Sequence, residues 1–414
     1  MNSSPDEREH ERRRRTARHL RFTLAAAALF GVAILAVAWT SRHSEPISPT
    51  TSPAASPSAT ATLPTTQPTL LIQATGTSGQ VGNLLTGLGG SPGAASLVSV
   101  VPGNLVVSAP GVSSRPLSQT QSVLDPRLPE SAVAATLGVR VDGSWRIDRK
   151  ALAGLVDSVG GVTVNVPRRT RVIDGEDVVV LSLRKGTQAL TGAQASWYAV
   201  GDVRRGTDVD AMSRFSAVML PTLKNLPASD ADLRETLTSL GWLAPATVAT
   251  SDLATYLVGL ADALRVGNVR TFTVPSTPVA LRERTLRWVR YDLATPLFRD
   301  GLPLAQWQAG DSLQPRVLVM TGSTRPGLIA STRSKIESGG YVFVDGRGTP
   351  APATELSTVQ ARGPKSWAKR TAQLLGLPGG SVRSSQSKSA SGQPWADVDV
   401  NLGEDYVPSS ARVG

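Results

Sequence analysis

Cysteine is absent from the 414 residues, and histidine occurs only at His10, His19 and His43. The first absence removes disulfides, thiolate nucleophiles and thiolate metal sites. The second leaves the chain beyond residue 43 without an imidazole. Ser-His-Asp triads, His-ligated zinc and His general bases are therefore excluded from the body of the protein. Charge is sparse as well, at 18% of residues, and the net charge of +11 includes +4 from the first 42 positions. The mildly basic remainder suits anionic lipid head groups or polymers. It contains no long basic run, so no nucleic-acid partner is expected.

What is present begins with a basic segment, residues 1–21, that ends in RRRRTARHLR. The uncharged apolar run FTLAAAALFGVAILAVAWT follows over residues 22–40. At a rise of about 1.5 Å per residue it is just long enough to cross a bilayer as one helix. Arginines ahead of the run predict a cytoplasmic N-terminus and an extracytoplasmic body, in a single-pass protein of the plasma membrane. The competing reading is a cleaved signal peptide, because AVA at 36–38 resembles a small-residue cleavage site. Either way the body is exported. Residues 41–69, rich in Pro, Ser and Thr, cannot bury a core and read as an extended linker.

From Leu70 the texture changes to that of a layered α/β domain, expected over residues 70–304. LLIQAT and ASLVSVVPGNLVVSAPG are β-rich runs broken by Gly and Pro. DRKALAGLVDSVGG places Leu152, Leu155, Val156 and Val159 on one helical face, with Gly160 positioned to end the helix, and VTVNVP follows as a strand. Met212, Phe215, Met219 and Leu223 form a second helical stripe, with Asp208 or Asp210 as the cap. A third helix is expected over Ser251 to Leu264 behind a Ser cap. Residues 305–315 read as a second linker. Residues 316–407 then form a second, small C-terminal α/β domain of alternating strands and helices, and 408–414 are a tail. The segment GGSVRSSQSKSASGQPW within that domain is expected to be a loop.

Few motifs rise above a bland reading. TGSTRPG sits between a strand and a helix but lacks the Lys and spacing of a P-loop, so a tight turn accounts for it. SWAK matches S-x-x-K, yet the accompanying S-D-N and K-T-G motifs are missing. Acid-x-acid occurs at Asp208 to Asp210 and at Asp397 to Asp399. Helix capping explains the first and a solvated strand face the second, so no metal site is assigned. The best candidate is a residual anion-binding group, Arg204, Arg205 and Arg214 with Asp208, since planar guanidinium forks suit phosphate.

The order DGSWRIDRKALAGLVDSVGGVTVNVP, KGTQALTGAQASWYAV, DVDAMSRF resembles that of LytR-CpsA-Psr envelope proteins, which are anchored by one transmembrane helix. RVLVMTGSTRPGLIASTRSKIESGGYVFVDG through DVDVNLGEDY is similar to the LytR C-terminal domain often appended to them. The resemblance implies transfer of anionic glycopolymers from a polyprenyl-pyrophosphate carrier to peptidoglycan. In that reaction Arg side chains grip pyrophosphate, Asp residues hold Mg²⁺ and an apolar groove takes the lipid. Such a site neutralises charge that shifts onto the leaving group.

The family's motifs are degenerate here. VVPGN leaves Gly103 and Asn104 where the resemblance implies Arg and Asp, and YAVGD leaves Val200 and Asp202 at two Arg positions. Asp208 and Arg214 remain, but Ala211 and Phe215 replace an Arg and a Gln, and no Asp stands between Gln73 and Asn83. Each lost oxyanion-stabilising donor lowers a rate by ~10²–10³. The expectation is therefore an inactive envelope protein without catalytic residues or cofactor. It would bind polyprenyl-phosphate lipid or cell-wall glycopolymer, or scaffold and regulate other envelope proteins. The alternative is an active Mg²⁺-dependent glycopolymer phosphotransferase with a divergent site.

Overall fold

The computed structural model describes residues 67–76, 81–109, 112–121, 125–174, 177–203, 206, 208–281, 284–310, 314–323, 325–351, 354–383 and 396–407. The basic segment, the apolar run of 22–40 and nearly all of the first linker lie outside them. Among the described residues no helix is long and apolar enough to cross a membrane.

In chain order, β1 (Thr69–Thr75), β2 (Val81–Gly87) and β3 (Ser96–Val100) precede the hairpin β4 (Val106–Ala109) and β5 (Val112–Pro116). Helix α1 (Leu128–Leu137), β6 (Gly143–Asp148), α2 (Arg149–Ser158), β7 (Val162–Val166), β8 (Thr170–Ile173), β9 (Val179–Leu183) and β10 (Gly186–Leu190) follow. Then come α3 (Gly192–Val200), β11 (Asp202–Val203), α4 (Asp208–Lys224), α5 (Asp230–Leu240), α6 (Thr250–Arg265) and β12 (Val269–Thr273). The hairpin β13 (Ser276–Leu281) and β14 (Arg284–Val289) leads into α7 (Tyr291–Gly301). The C-terminal part contributes β15 (Arg316–Thr321), α8 (Leu328–Ser338), β16 (Val342–Asp345), β17 (Thr358–Ala361), α9 (Lys365–Leu375), β18 (Val382–Arg383) and β19 (Val398–Leu402).

Five strands in the order β12-β3-β2-β1-β6 make the first sheet, with β1 antiparallel to β2 and parallel to β6. Side chains alternate across a strand. Leu70, Ile72 and Ala74 accordingly face a cluster shared with Leu152, Phe215 and Leu257 of α2, α4 and α6. Leu71, Leu85 and Leu97 face a second cluster built with α1 and α7. Burial on both faces explains the near-continuous apolar runs of these strands.

Local signals place the helices. Asp148 caps α2 by accepting from Ala151 N at 2.7 Å, and Gly160 takes φ +81 just past its end. Thr191 and Gln194 form a complete capping box at α3. Met212, Phe215, Met219 and Leu223 are all buried along α4, as their spacing predicts. Two caps differ from expectation. Asp210 is the third residue of α4 rather than its cap, and α6 starts behind Ala249, with Ser251 already inside the first turn.

The second sheet, β16-β15-β19-β17-β18, carries α8 and α9 on one face through Val317, Val319, Phe343 and Val400. Its other face adds Leu318, Met320, Val342 and Val344 to the second cluster of the first sheet. The two α/β parts therefore share apolar packing. Residues 305–310, within the stretch that composition reads as a linker, are hydrogen-bonded to both. Arg140 N donates to Ala305 O at 2.7 Å, Trp307 N to Gly138 O at 3.1 Å, and Gly310 N to Asp397 Oδ1 at 2.6 Å. The expected loop after α9 is paired at its start, where Val382 and Arg383 lie beside Val359 and Gln360. The rest of it, 384–395, is outside the described residues.

Asp397 and Asp399 correct the reading of a solvated face, because both are buried. Asp397 Oδ2 accepts from Arg316 N at 2.7 Å and from Arg316 Nε at 3.1 Å, and Asp399 Oδ2 accepts from Arg362 Nε at 3.1 Å. Arg316 also donates to Gln308 O at 3.1 Å and stacks 4.4 Å from the centre of the Trp307 ring. Breaking a buried pair from one side strands the other charge, at a cost of about 3–5 kcal/mol. Asp397→Asn should lower the stability from urea unfolding by that order, whereas Asp210→Asn, in an exposed pair, should change it by less than about 1 kcal/mol.

Glu130, in the first turn of α1, is buried and accepts from Thr247 Oγ1 at 2.9 Å. Burial raises its carboxyl above the ordinary value, against the lowering by Thr247 and Arg127. The folded state thus favours the protonated acid. Its stabilisation is complete below the unfolded value and is lost as pH rises through the folded one. Glu130→Gln should raise the melting temperature at pH 7, and the gain should vanish below about pH 4.

Candidate functional site

The region to which the resemblance points lies where the end of β1 and the start of β2 meet α3 and α4. Gly82 opens β2 opposite Ala74, and Gly76 follows β1. A Cβ on Gly82 would clash with the ring of Phe215 at its Cγ, and one on Gly76 would meet the carbonyl of Val200. Phe215 itself is fully buried. The helices therefore close on the strand ends at backbone distance, and any side chain at either glycine would force them apart. Phe215 is thus the residue that fills the space beside β2.

Arg214 is buried next to it, 7% exposed. Its Nε donates to Tyr198 O at 2.8 Å and its Nη2 to Gly201 O at 2.9 Å. These are terminal carbonyls of α3, which have no helical partner of their own, and a cation suits that end of the dipole. Burial lowers the guanidinium pKa, while Tyr198, Asp210 and Asp202 act to raise it. Burial also pushes the Tyr198 phenol up. Arg214 thus holds α4 onto the end of α3.

The other candidate residues are dispersed. Arg204 and Arg205 lie outside the described residues, as does the side chain of Asp208, whose backbone begins α4. Asp202 starts the short β11, paired with Ile173 of β8. Asp210 accepts from Arg168 Nη2 at 2.8 Å in an exposed pair that contributes at most about 1 kcal/mol. Gly103 O accepts from Ser118 N at 2.8 Å. Asn104 Nδ2 donates to Thr285 O at 2.8 Å, fastening the loop after β3 to β14.

Mg²⁺ needs oxygen ligands in near-octahedral array. Among the described residues no three acidic or imidazole side chains converge, Asp210 is engaged by Arg168, and an aromatic ring stands against Gly82. The described residues do not fit the ion. The Phe215 contact escaped sequence reasoning because it joins positions far apart in the chain. The available signal was Gly82 itself, since a glycine inside a strand marks close approach of another group.

Gly82→Ala should destabilise the protein by about 1–3 kcal/mol through overpacking. Phe215→Ala should cost about 3–5 kcal/mol by opening a cavity. The double variant should lose less than the sum, since the two residues occupy the same space. Urea unfolding of the four proteins in the cycle tests this; strict additivity would contradict the contact.

Comparison with known proteins is consistent with this architecture. Residues 96–283 match the LytR_cpsA_psr family, and residues 314–406 match the family described as LytR cell envelope-related transcriptional attenuator. No curated protein sequence matches the chain. Among solved structures, TagV of B. subtilis is similar at 14% identity and a TM-score of 0.48, over 58% of this chain and 99% of that one. A LytR-Csp2A-Psr enzyme from Actinomyces oris is similar at 21% identity and a TM-score of 0.45, over 58% and 93%. B. subtilis TagT is similar at 15% identity and a TM-score of 0.42, over 56% and 90%. The chain carries a LytR_cpsA_psr domain followed by a LytR C-terminal domain, the architecture typical of the LytR-CpsA-Psr family.

Proposed function

We propose that this chain is a membrane-anchored, extracytoplasmic envelope protein that works by binding rather than by phosphoryl transfer. Its ligands on this reading are cell-wall glycopolymer or other envelope proteins, which it scaffolds or regulates. The observation that carries the proposal is the ring of Phe215 packed where any side chain on Gly82 would project. Arg214, turned to the carbonyls of Tyr198 and Gly201, supports it, because a guanidinium so engaged is part of the frame. Catalysis of phosphoryl transfer rests on positioned cations and donors, and several losses at ~10²–10³ each leave no useful rate.

The test is incubation of the full-length protein in detergent with Mg²⁺ and geranylgeranyl pyrophosphate, with phosphate release followed over time. No release above the buffer rate is expected. Release that requires the protein and stops with EDTA would overturn the proposal in favour of a phosphotransferase. Mass spectrometry of co-purifying lipid then separates the binding modes: a polyprenyl phosphate on the protein points to the carrier, and none points to polymer or protein contacts.

A further inference from the structure

A cavity of about 550 Å³ opens at the junction of the two α/β parts, away from Gly82 and Phe215. That volume suits a small-molecule site. One wall is the loop after β15, Thr321 to Ser323, which the sequence presents as a plain turn, together with the first turns of α8. The hairpin β13–β14 supplies Val279 and Trp288 opposite. Arg325, Arg333 and Arg347 all line the space.

The position follows from topology. β15 is flanked by parallel neighbours, β16 and β19, and the chain reaches them on opposite sides. Its carboxyl end is therefore where strand order reverses, the place where open α/β sheets form ligand crevices. Arg347 stands just past the carboxyl end of β16, and Thr321 Oγ1 ties the end of β15 to Leu402 O of β19 at 3.2 Å.

Two of the three guanidiniums, Arg325 and Arg347, are held by hydrogen bonds. Arg325 donates to Tyr406 O at 3.0 Å and Glu404 O at 2.9 Å, main-chain partners that fix it without neutralising it. Arg347 pairs with Asp345 at 2.6 Å and lies 4.7 Å from the centre of the Trp288 ring. Arg333 lies 5.1 Å from the centre of the Phe343 ring, and its buried Nε has no hydrogen-bond partner among the described residues. Glu337 acts on the same guanidinium, and burial raises its carboxyl pKa. A preorganised set of Arg donors beside an apolar wall matches a phosphate on a compact organic body.

We infer that this cleft binds a phosphate ester, its phosphate held by Arg325 and Arg333 and its body lying against Val279 and Ile329. The site is independent of the reading of the first domain, and the ester group is common to free sugar phosphates and phosphodiester-linked polymer units.

Isothermal titration of the full-length protein with glucose 1-phosphate tests the inference, with glucose and inorganic phosphate as comparison probes. Saturable binding of glucose 1-phosphate, tighter than that of either comparison probe, is expected. Arg333→Gln should weaken it at least about tenfold, the loss of one charge-assisted hydrogen bond. Ala330→Trp, at an exposed lining position, should abolish it while leaving the melting temperature unchanged. Absence of binding at millimolar probe, equal affinity for inorganic phosphate, or unaltered binding in both variants would overturn the inference. A sugar-phosphate polymer fragment that competes with glucose 1-phosphate would place the natural ester in a polymer; failure to compete would place it in a free sugar phosphate.

Discussion

Arg316 and Asp397 leave water together, and much of the molecule is arranged around that pair. An isolated buried charge is costly, so each needs the other and nearby dipoles. Asp397 receives the main-chain N–H groups of Gly310 and Arg316 as well as the guanidinium, and Arg316 reaches the carbonyl of Gln308 and the face of Trp307. The network joins β19, β15 and the connecting segment at one point. Through it the register of the second sheet is tied to the path of the chain leaving α7. Leu318, Met320 and Val344 are then directed into the apolar cluster that also holds Leu71 and Leu85 of the first sheet.

The same constraint of two-sided burial shapes the first domain. A five-stranded sheet covered on both faces leaves polar chemistry only at strand ends, where loops and helix termini converge. Gly76 and Gly82 admit the carbonyl of Val200 and the ring of Phe215, and Arg214 fastens the helix that carries the ring to the end of α3. Filling a pocket with a buried aromatic gains apolar burial of a few kcal/mol. A charged, hydrated pocket lacks that gain.

The elements were legible where a local pattern carries them. The α4 stripe, the Gly160 stop after α2 and the runs of β1, β3 and β15 follow from periodicity and helix-ending chemistry alone. The missing imidazoles were equally plain. What could not be read were facts of long range. Alternation puts Asp397 and Asp399 on one strand face, but whether that face meets water depends on Arg316 and Arg362, distant in sequence. Ser251 and Asp210 have good capping chemistry, yet the helices begin one and two residues before them. The filling of Gly82 by Phe215 is likewise a contact that no window of sequence contains.

Arginine has different roles in the two domains, and the difference bears on where ligand recognition resides. In the first, Arg214 faces terminal carbonyls and Arg168 faces Asp210, so their donors answer local needs of helix ends and surface. In the second, Arg325 is anchored by two carbonyls and still lines an open cavity, and Arg333 lines it with a buried Nε that has no partner among the described residues. Anchoring a guanidinium without neutralising it prepares it for an anion, because the entropy of ordering the long side chain is already met before the ligand arrives. On this reading the cleft at the domain junction is built for recognition and the first domain is built for rigidity. The hairpin β13–β14 belongs to both tasks, since Asn104 fastens it to the first sheet while Val279 and Trp288 wall the cavity. A ligand in the cleft would then contact both domains at once.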